Sequence, residues 1–229
     1  DLRHLLLIGA YRDNEVDTTH PLVRKLNAIR QARAAVQDIV LTPLGRDDLG
    51  KLLVDSLHCQ RERAAPLAGL IHEKTTGNPF FAIQFISTLA DDRLLTFDHS
   101  ARRWVWDLLR IRAKGFTNNV AELMVEKLKR LPPETQKLLQ QFACMGNSAE
   151  FEMLRIGYDG SVDVMHGHLR EPVRSGLVFR AHNSYEFVHD RVQEAAYSLI
   201  PKELRAEAHL RIGMLLAQHM PAEKREEAI

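Results

Sequence analysis

The 229 residues are 45% apolar and 27% charged, ordinary globular usage that excludes disordered, collagen-like and low-complexity architectures. Lys and Arg number 31 against 30 Asp and Glu, a net charge of +1 that offers neither the basic excess of a general nucleic-acid binder nor an acidic tail. At about 100–200 residues per domain, the length suggests one or two domains with room for a small third unit.

The longest apolar run, Leu5-Leu6-Leu7-Ile8-Gly9-Ala10-Tyr11, is far short of the roughly 20 residues that a membrane span needs. No signal peptide is expected ahead of it, because Asp1 leads almost directly into the run. The first residue is not Met, and the chain is expected to be a piece of something longer. Cys59 and Cys144 are the only cysteines. Two isolated thiols fit a reducing compartment, so the protein is expected to be cytoplasmic with both thiols free.

In chain order, His4 to Tyr11 is short, continuous and apolar, which predicts a strand buried on both faces of a parallel sheet. Pro21 opens a helix with Leu22, Leu26 and Ile29 on one face. Ile39-Val40-Leu41 predicts a second strand, closed by Pro43 and Gly45. Strand, helix, strand, helix is the signature of an α/β layer, and its missing strands are expected upstream of Asp1. From Asp47 the pattern turns helical. Leu49, Leu52, Leu53 and Leu57 share a face, a second helix covers Ala64 to Thr76, and a third starts at Pro79 and runs to Leu89. Leu94 to Phe97 and Trp104 to Trp106 flank a polar turn and predict a β-hairpin. Val120, Leu123, Met124, Leu128 and Leu131 begin a new helical unit. Pro132-Pro133-Glu134 breaks it and starts another helix, carrying Leu138, Leu139 and Phe142. Val162 to Ser175 predicts a helix interrupted by Pro172. Strands at 176–180 and 185–188 surround His182-Asn183-Ser184, a helix covers Asp190 to Leu199, and Pro201 opens a last helix carrying Leu204, Ala208, Ile212 and Leu215. Helices followed by a small hairpin suggest a winged helix.

Several motifs fail on their chemistry. Gly45-Arg46-Asp47-Asp48-Leu49-Gly50-Lys51-Leu52 resembles a phosphate-binding loop, but Leu52 stands where a Ser or Thr must hold the metal, and two carboxylates would face the anion. Asp47 and Asp48 make better sense as first-turn residues of a helix. His166-Gly167-His168 lacks the partners of a metal cluster. Trp104 and Trp106 lie two apart on one strand face and are read as packing.

Three features carry more. Arg12 follows an apolar run at the carboxyl end of an expected strand, where ligands of open α/β sheets bind. Gly77-Asn78-Pro79-Phe80-Phe81 opens a helix, with glycine freeing the backbone for a close approach. Val188-His189-Asp190 puts a histidine where a strand turns into a helix, and a helix N-terminus offers N–H groups to an anion. Read one at a time, each has a plain structural alternative: a salt-bridging arginine, a helix break, a structural histidine.

In this order, the three features resemble the C-terminal part of the ATPase module of STAND-type signalling proteins, a branch related to the AAA+ ATPases. The likeness is to the ATPase module that lies between a protein-kinase domain and a sensor histidine kinase in large bacterial signalling proteins. It is carried by residues 6–16, by Gly77 to Phe81, by Asn119 to Leu123, by Lys129 to Pro132 and by Phe187 to Tyr197. The resemblance implies the end of a P-loop-type ATPase domain over residues 1–45, a helical lid with its hairpin over 46–116, a winged-helix domain over 117–200, and the start of a repeat-like helical region over 201–229. The fold class is then mainly α with a partial α/β layer. The resemblance also implies nucleotide-binding roles for Arg12 near the γ-phosphate, for Pro79 with Asn78 in the lid beside the adenine, and for His189 at the β-phosphate of a closed, ADP-bound state.

The implied function is a nucleotide-dependent switch in signal transduction, with ATP or ADP and Mg bound by the parent protein. A true phosphate loop and an acidic metal-binding strand are both missing here, so the fragment alone is expected neither to bind nucleotide tightly nor to hydrolyse it, and no catalytic or metal-binding residue is assigned. Expected partners are the upstream ATPase core and flanking kinase domains of the parent chain, and protein partners reached through the C-terminal helix. Membrane and nucleic acid are not expected partners. The rival readings are a winged-helix DNA-binding regulator and a protein-interaction scaffold. Against the first, Arg170 and Arg174 in the candidate recognition helix are balanced by Asp163 and Glu171.

Overall fold

The computed structural model describes residues 6–12, 16–32, 34–116, 120–158 and 160–219. The chain divides into two compact units, residues 1–42 and 43–229, which are taken separately below.

In the first unit the described residues hold one helix, α1 (Pro21–Gln31), with Pro21 in its first turn and His20 as its cap, Nδ1 accepting the Leu22 N–H at 3.1 Å. None of its residues is buried. The two runs expected to be strands are not strands. His4 and Leu5 lie outside the described residues, and neither 6–11 nor 39–41 is paired in a sheet. Their side chains are open to solvent, Ile8 at 87% and Leu41 at 90%. A strand exists only where a neighbour takes up its N–H and C=O groups, and two short segments cannot supply a stable sheet to each other.

The second unit is mainly helical. It begins with α2 (Arg46–Leu57), α3 (Arg61–Thr75) and α4 (Pro79–Asp91), followed by the hairpin β1 (Leu95–Asp98) and β2 (Arg103–Trp106) and by the short α5 (Leu108–Ala113). It continues with α6 (Val120–Lys129), α7 (Pro133–Met145), β3 (Ser148–Glu150), α8 (Phe151–Ile156), α9 (Val162–Arg174), β4 (Val178–Arg180), β5 (Ser184–Phe187) and α10 (Asp190–Ser198). A 3₁₀ turn at Lys202–Leu204 leads into α11 (Arg205–His219). All strand pairing among the described residues is antiparallel, in the β1-β2 hairpin and in a three-stranded sheet of order β3-β5-β4.

Local chemistry explains where these elements begin. At α2, the Asp48 carboxylate accepts the Gly45 N–H at 3.2 Å and faces Lys51 at 3.3 Å. The Lys51 hydrogen bond, followed by the Gly45 N–H, holds the Asp48 carboxyl below its usual range. The near-match to a phosphate loop is thus a helix start that Asp48 caps, while Asp47 pairs with Arg61 at 3.0 Å. In the hairpin turn, Asp98 Oδ1 accepts N–H groups from Ser100 and Ala101 at 2.9 and 3.0 Å. Trp104 and Trp106 pack against the core. The Arg63 guanidinium lies 4.4 Å from the Trp106 ring centre and donates to the Trp104 carbonyl at 2.8 Å.

One contiguous apolar core runs from α2 to α10, with Leu49, Leu53, Leu67, Ile71, Leu89, Met124, Leu128, Phe142 and Val192 fully enclosed. Phe142 stacks on Phe187 at 4.2 Å between ring centres, which joins α7 to β5. Such pairs contribute about 0.5–1.5 kcal/mol beyond area burial. Pro172 does not interrupt α9, which runs on to Arg174. It falls in the last turn, where its ring is buried.

Candidate functional site

The site is built from two helix starts. Ahead of α4 the chain makes a tight left-handed turn, with Thr76 at φ 49° and Gly77 at φ 78°. Gly77 is required there twice over. Its φ suits glycine, and a Cβ would sit 2.2 Å from the Leu44 carbonyl oxygen. The same approach is fastened by a hydrogen bond from the Leu44 N–H to the Gly77 carbonyl at 2.8 Å. The close approach expected at this glycine is therefore made by the protein's own backbone. Asn78 caps α4, its Oδ1 accepting the Phe81 N–H at 3.2 Å, and Pro79 occupies the first turn with an exposed ring.

The second start is at α10, where His189 is the cap. Its Nδ1 accepts the Arg191 N–H at 3.2 Å. With Nδ1 accepting, a neutral His189 carries its proton on Nε2, which makes that nitrogen a donor. The His189 ring lies against the first turn of α4. It stacks on Phe80 at 5.1 Å between ring centres with a 20° interplanar angle, and meets Phe81 at 5.0 Å and 45°. Phe81 is buried, while Phe80 and His189 are half-buried.

Of the four residues singled out in the sequence, three come together here. Asn78 and Pro79 head the helix whose phenylalanines hold His189, although the two segments are far apart in sequence. Arg12 belongs to the first unit and is exposed. Sequence reasoning missed Leu44, whose backbone shapes the Gly77 turn, and missed that Phe80 and Phe81 would seat the histidine ring. No local pattern marks either contact, because both join distant segments. His166, considered earlier as a weak metal ligand, is engaged in packing. It hydrogen-bonds the Tyr185 hydroxyl at 2.7 Å and stacks on Phe151 at 4.9 Å.

The two helix starts meet through the rings of Phe80, Phe81 and His189, and a helix start is where an anion finds backbone N–H groups. Among the described residues, no group of three or more His, Cys, Asp or Glu is gathered where it could hold a metal ion. No described helix is long and apolar enough to cross a membrane.

No protein-family model matches the chain. The chain is similar to hybrid signal transduction histidine kinase G of Dictyostelium discoideum, at 29% identity over 254 aligned positions. The match takes in 94% of this chain but only 7% of that protein's length.

Proposed function

We propose that the chain is a regulatory segment of a signal-transduction ATPase, in which ATP or ADP bound by the larger protein sets how the second unit sits. The observation that carries this reading is the contact between the α4 start, with Asn78 and Pro79, and His189 at the α10 start. A nucleotide seated on one helix start would act directly on the other. Asn78 and Pro79 would border the adenine and the His189 ring would lie towards the phosphates; Arg12, in the first unit, is a nucleotide contact on the sequence resemblance alone. The residues present fit that ligand in kind, being helix ends, a donor imidazole and an arginine. The bound Mg-nucleotide would supply the phosphate charge that these groups read.

Further support comes from the element order. The series α7, β3, α8, α9, β4, β5 with sheet order β3-β5-β4 agrees with a winged helix. Under this reading α2 to α5 with the hairpin form the lid, and α11 begins a further helical region. In α9, Arg174 is engaged by Glu171 at 2.9 Å, which argues against a basic recognition helix for DNA. The relative's printed name, a signal transduction histidine kinase, supports a signalling context. The exposed runs at 6–11 and 39–41 suit strands completed by a sheet from the rest of the ATPase core.

The test uses the full-length protein. A hydrogen bond to a charged group contributes about 1.5–3 kcal/mol. His189→Ala should therefore weaken ADP binding by roughly 10- to 100-fold while changing ATP affinity less. Equal loss of both nucleotides, together with a large fall in melting temperature, would reduce His189 to a structural cap and sink the proposal. The isolated chain should show no magnesium-dependent ATP turnover, since it lacks the loop that positions the phosphates.

A further inference from the structure

Asp92, the residue that closes α4, gathers two cations, one at the end of α5 and one just beyond the end of α6. Lys114 Nζ meets one carboxylate oxygen at 2.5 Å, and Arg130 Nη1 meets the other at 2.6 Å. The Asp92 side chain is 8% exposed, whereas those of Lys114 and Arg130 are 44% and 47% exposed. Lys114 closes α5, and Arg130 directly follows α6.

About two turns earlier on α4, Gln84 makes a second set of links, and it is only 3% exposed. Its amide donates to the carbonyls of Ser175 and Gly176 at 3.3 and 3.2 Å, and its oxygen accepts from the half-buried Lys127 ammonium. Lys127 in the last turn of α6 and Arg130 directly after it are the two cations from this side of the contact. The neighbours differ on the two sides of this seam. α4 packs chiefly on α3 and β1, α6 packs chiefly on α10, and the two helices meet each other only narrowly.

A seam fastened by polar groups behaves differently from an apolar one. While closed, it demands one register, because each enclosed group must find its partner. Once parted, every group is hydrated, so opening costs less than exposing an equivalent apolar surface.

We propose that Asp92 and Gln84 form a polar latch on α4 that holds the α6–α10 part of the second unit against the α2–α5 part. Releasing the latch loosens α4 and α6, the helices that it fastens to each other, while the rest of the shared apolar core stays packed. The latch does not rest on nucleotide binding, since all its partners belong to this chain.

The test is hydrogen exchange read by mass spectrometry on the full chain without nucleotide, comparing the parent with Asp92→Ala, Gln84→Ala and the double variant. Amides of α4 and α6 are expected to exchange roughly 10- to 100-fold faster in the double variant, as for the loss of charge-assisted hydrogen bonds. Those of α7 and α10 should stay within about twofold. Lys127→Met keeps the apolar stem and removes the donor, so it serves if the double variant fails to fold, and the same local acceleration is expected of it. Glu152→Ala removes an exposed ion pair on α8 and should change nothing. Unchanged rates in α4 and α6, or an equal rise in every helix, would overturn the latch. Either result would leave the ADP test on His189 standing on its own.

Discussion

Leu6, Leu7 and Ile8 in the first unit are as apolar as Leu49, Leu53 and Leu57 in the second, yet the former lie about four-fifths exposed and the latter at most 5% exposed. The difference is not one of composition but of what each segment needs from its neighbours. A helix closes its own hydrogen bonds and needs only another apolar face, which α2 finds in α3 a few residues on. An apolar strand needs a partner on both edges and cover on both faces, none of which can come from a segment of seven residues. The second unit completes itself, whereas the apolar runs of the first find no strand partner among the described residues.

Mutations that are alike on paper should therefore separate the two units. Phe85, 2% exposed in the second unit, should lose about 3–5 kcal/mol of stability on Phe85→Ala by urea unfolding. Ile8→Ala, at a side chain 87% exposed, should change stability by less than about 0.5 kcal/mol. Comparable losses at the two positions would mean that the first unit has a core of its own. Glycine offers the same comparison at the level of backbone. Gly77→Ala drives a Cβ against the Leu44 carbonyl and should cost about 2–4 kcal/mol, while Gly9→Ala meets nothing within 4 Å and should be close to neutral.

Smaller effects sharpen the picture inside the second unit. Asn78→Ala removes the cap of α4 and should lower stability by about 1 kcal/mol, with Asn78→Ser recovering most of it. The smallest effect is the acid dependence of the Asp92 carboxylate. Burial works to raise its pKa, but the hydrogen bonds and charges of Lys114 and Arg130 outweigh burial and hold it below the ordinary value of 3.8. A lowered carboxylate pKa contributes stability that is present above the unfolded value and disappears as pH falls through the folded one. Unfolding midpoints measured from pH 6 downwards should thus decline below about pH 4, and less steeply in Asp92→Asn. Identical slopes for the two proteins would place the acid sensitivity elsewhere.

How much of this could be read from the residues depended on whether the signal was local. The starts of α4 and α7 are written in short range as Asn-Pro and Pro-Pro-Glu, and the spacing of Leu49, Leu53 and Leu57 names the buried face of α2. Both hairpins could be read from apolar pairs around polar turns. By contrast β3, with three residues, and α8, with six, are too short to show a period. The runs at 6–11 and 39–41 have strand chemistry, but chemistry within a segment cannot report whether a neighbouring strand is there. At the candidate site, Asn78, Pro79 and His189 stood out because caps and helix starts leave local marks. Their meeting through Phe80 did not, since no residue near Phe80 in sequence points towards position 189. Gly77 was legible as a place of close approach, but not in what approaches it.

The hydrogen bonds from Gln84 to Ser175 and Gly176 join residues 91 and 92 positions apart. On a ribosome adding about 5–20 residues each second, Gln84 is made some 5–20 s before its acceptors exist. During that interval α2, α3 and α4 can already pack on one another, while the side of α4 that carries Gln84 has only water to bond. The helical first half of the second unit thus finishes most of its core while synthesis continues, and its last polar bonds close only when the turn after α9 arrives. A substitution at Gln84 would act on that final docking step and leave the early packing of α2 on α3 untouched.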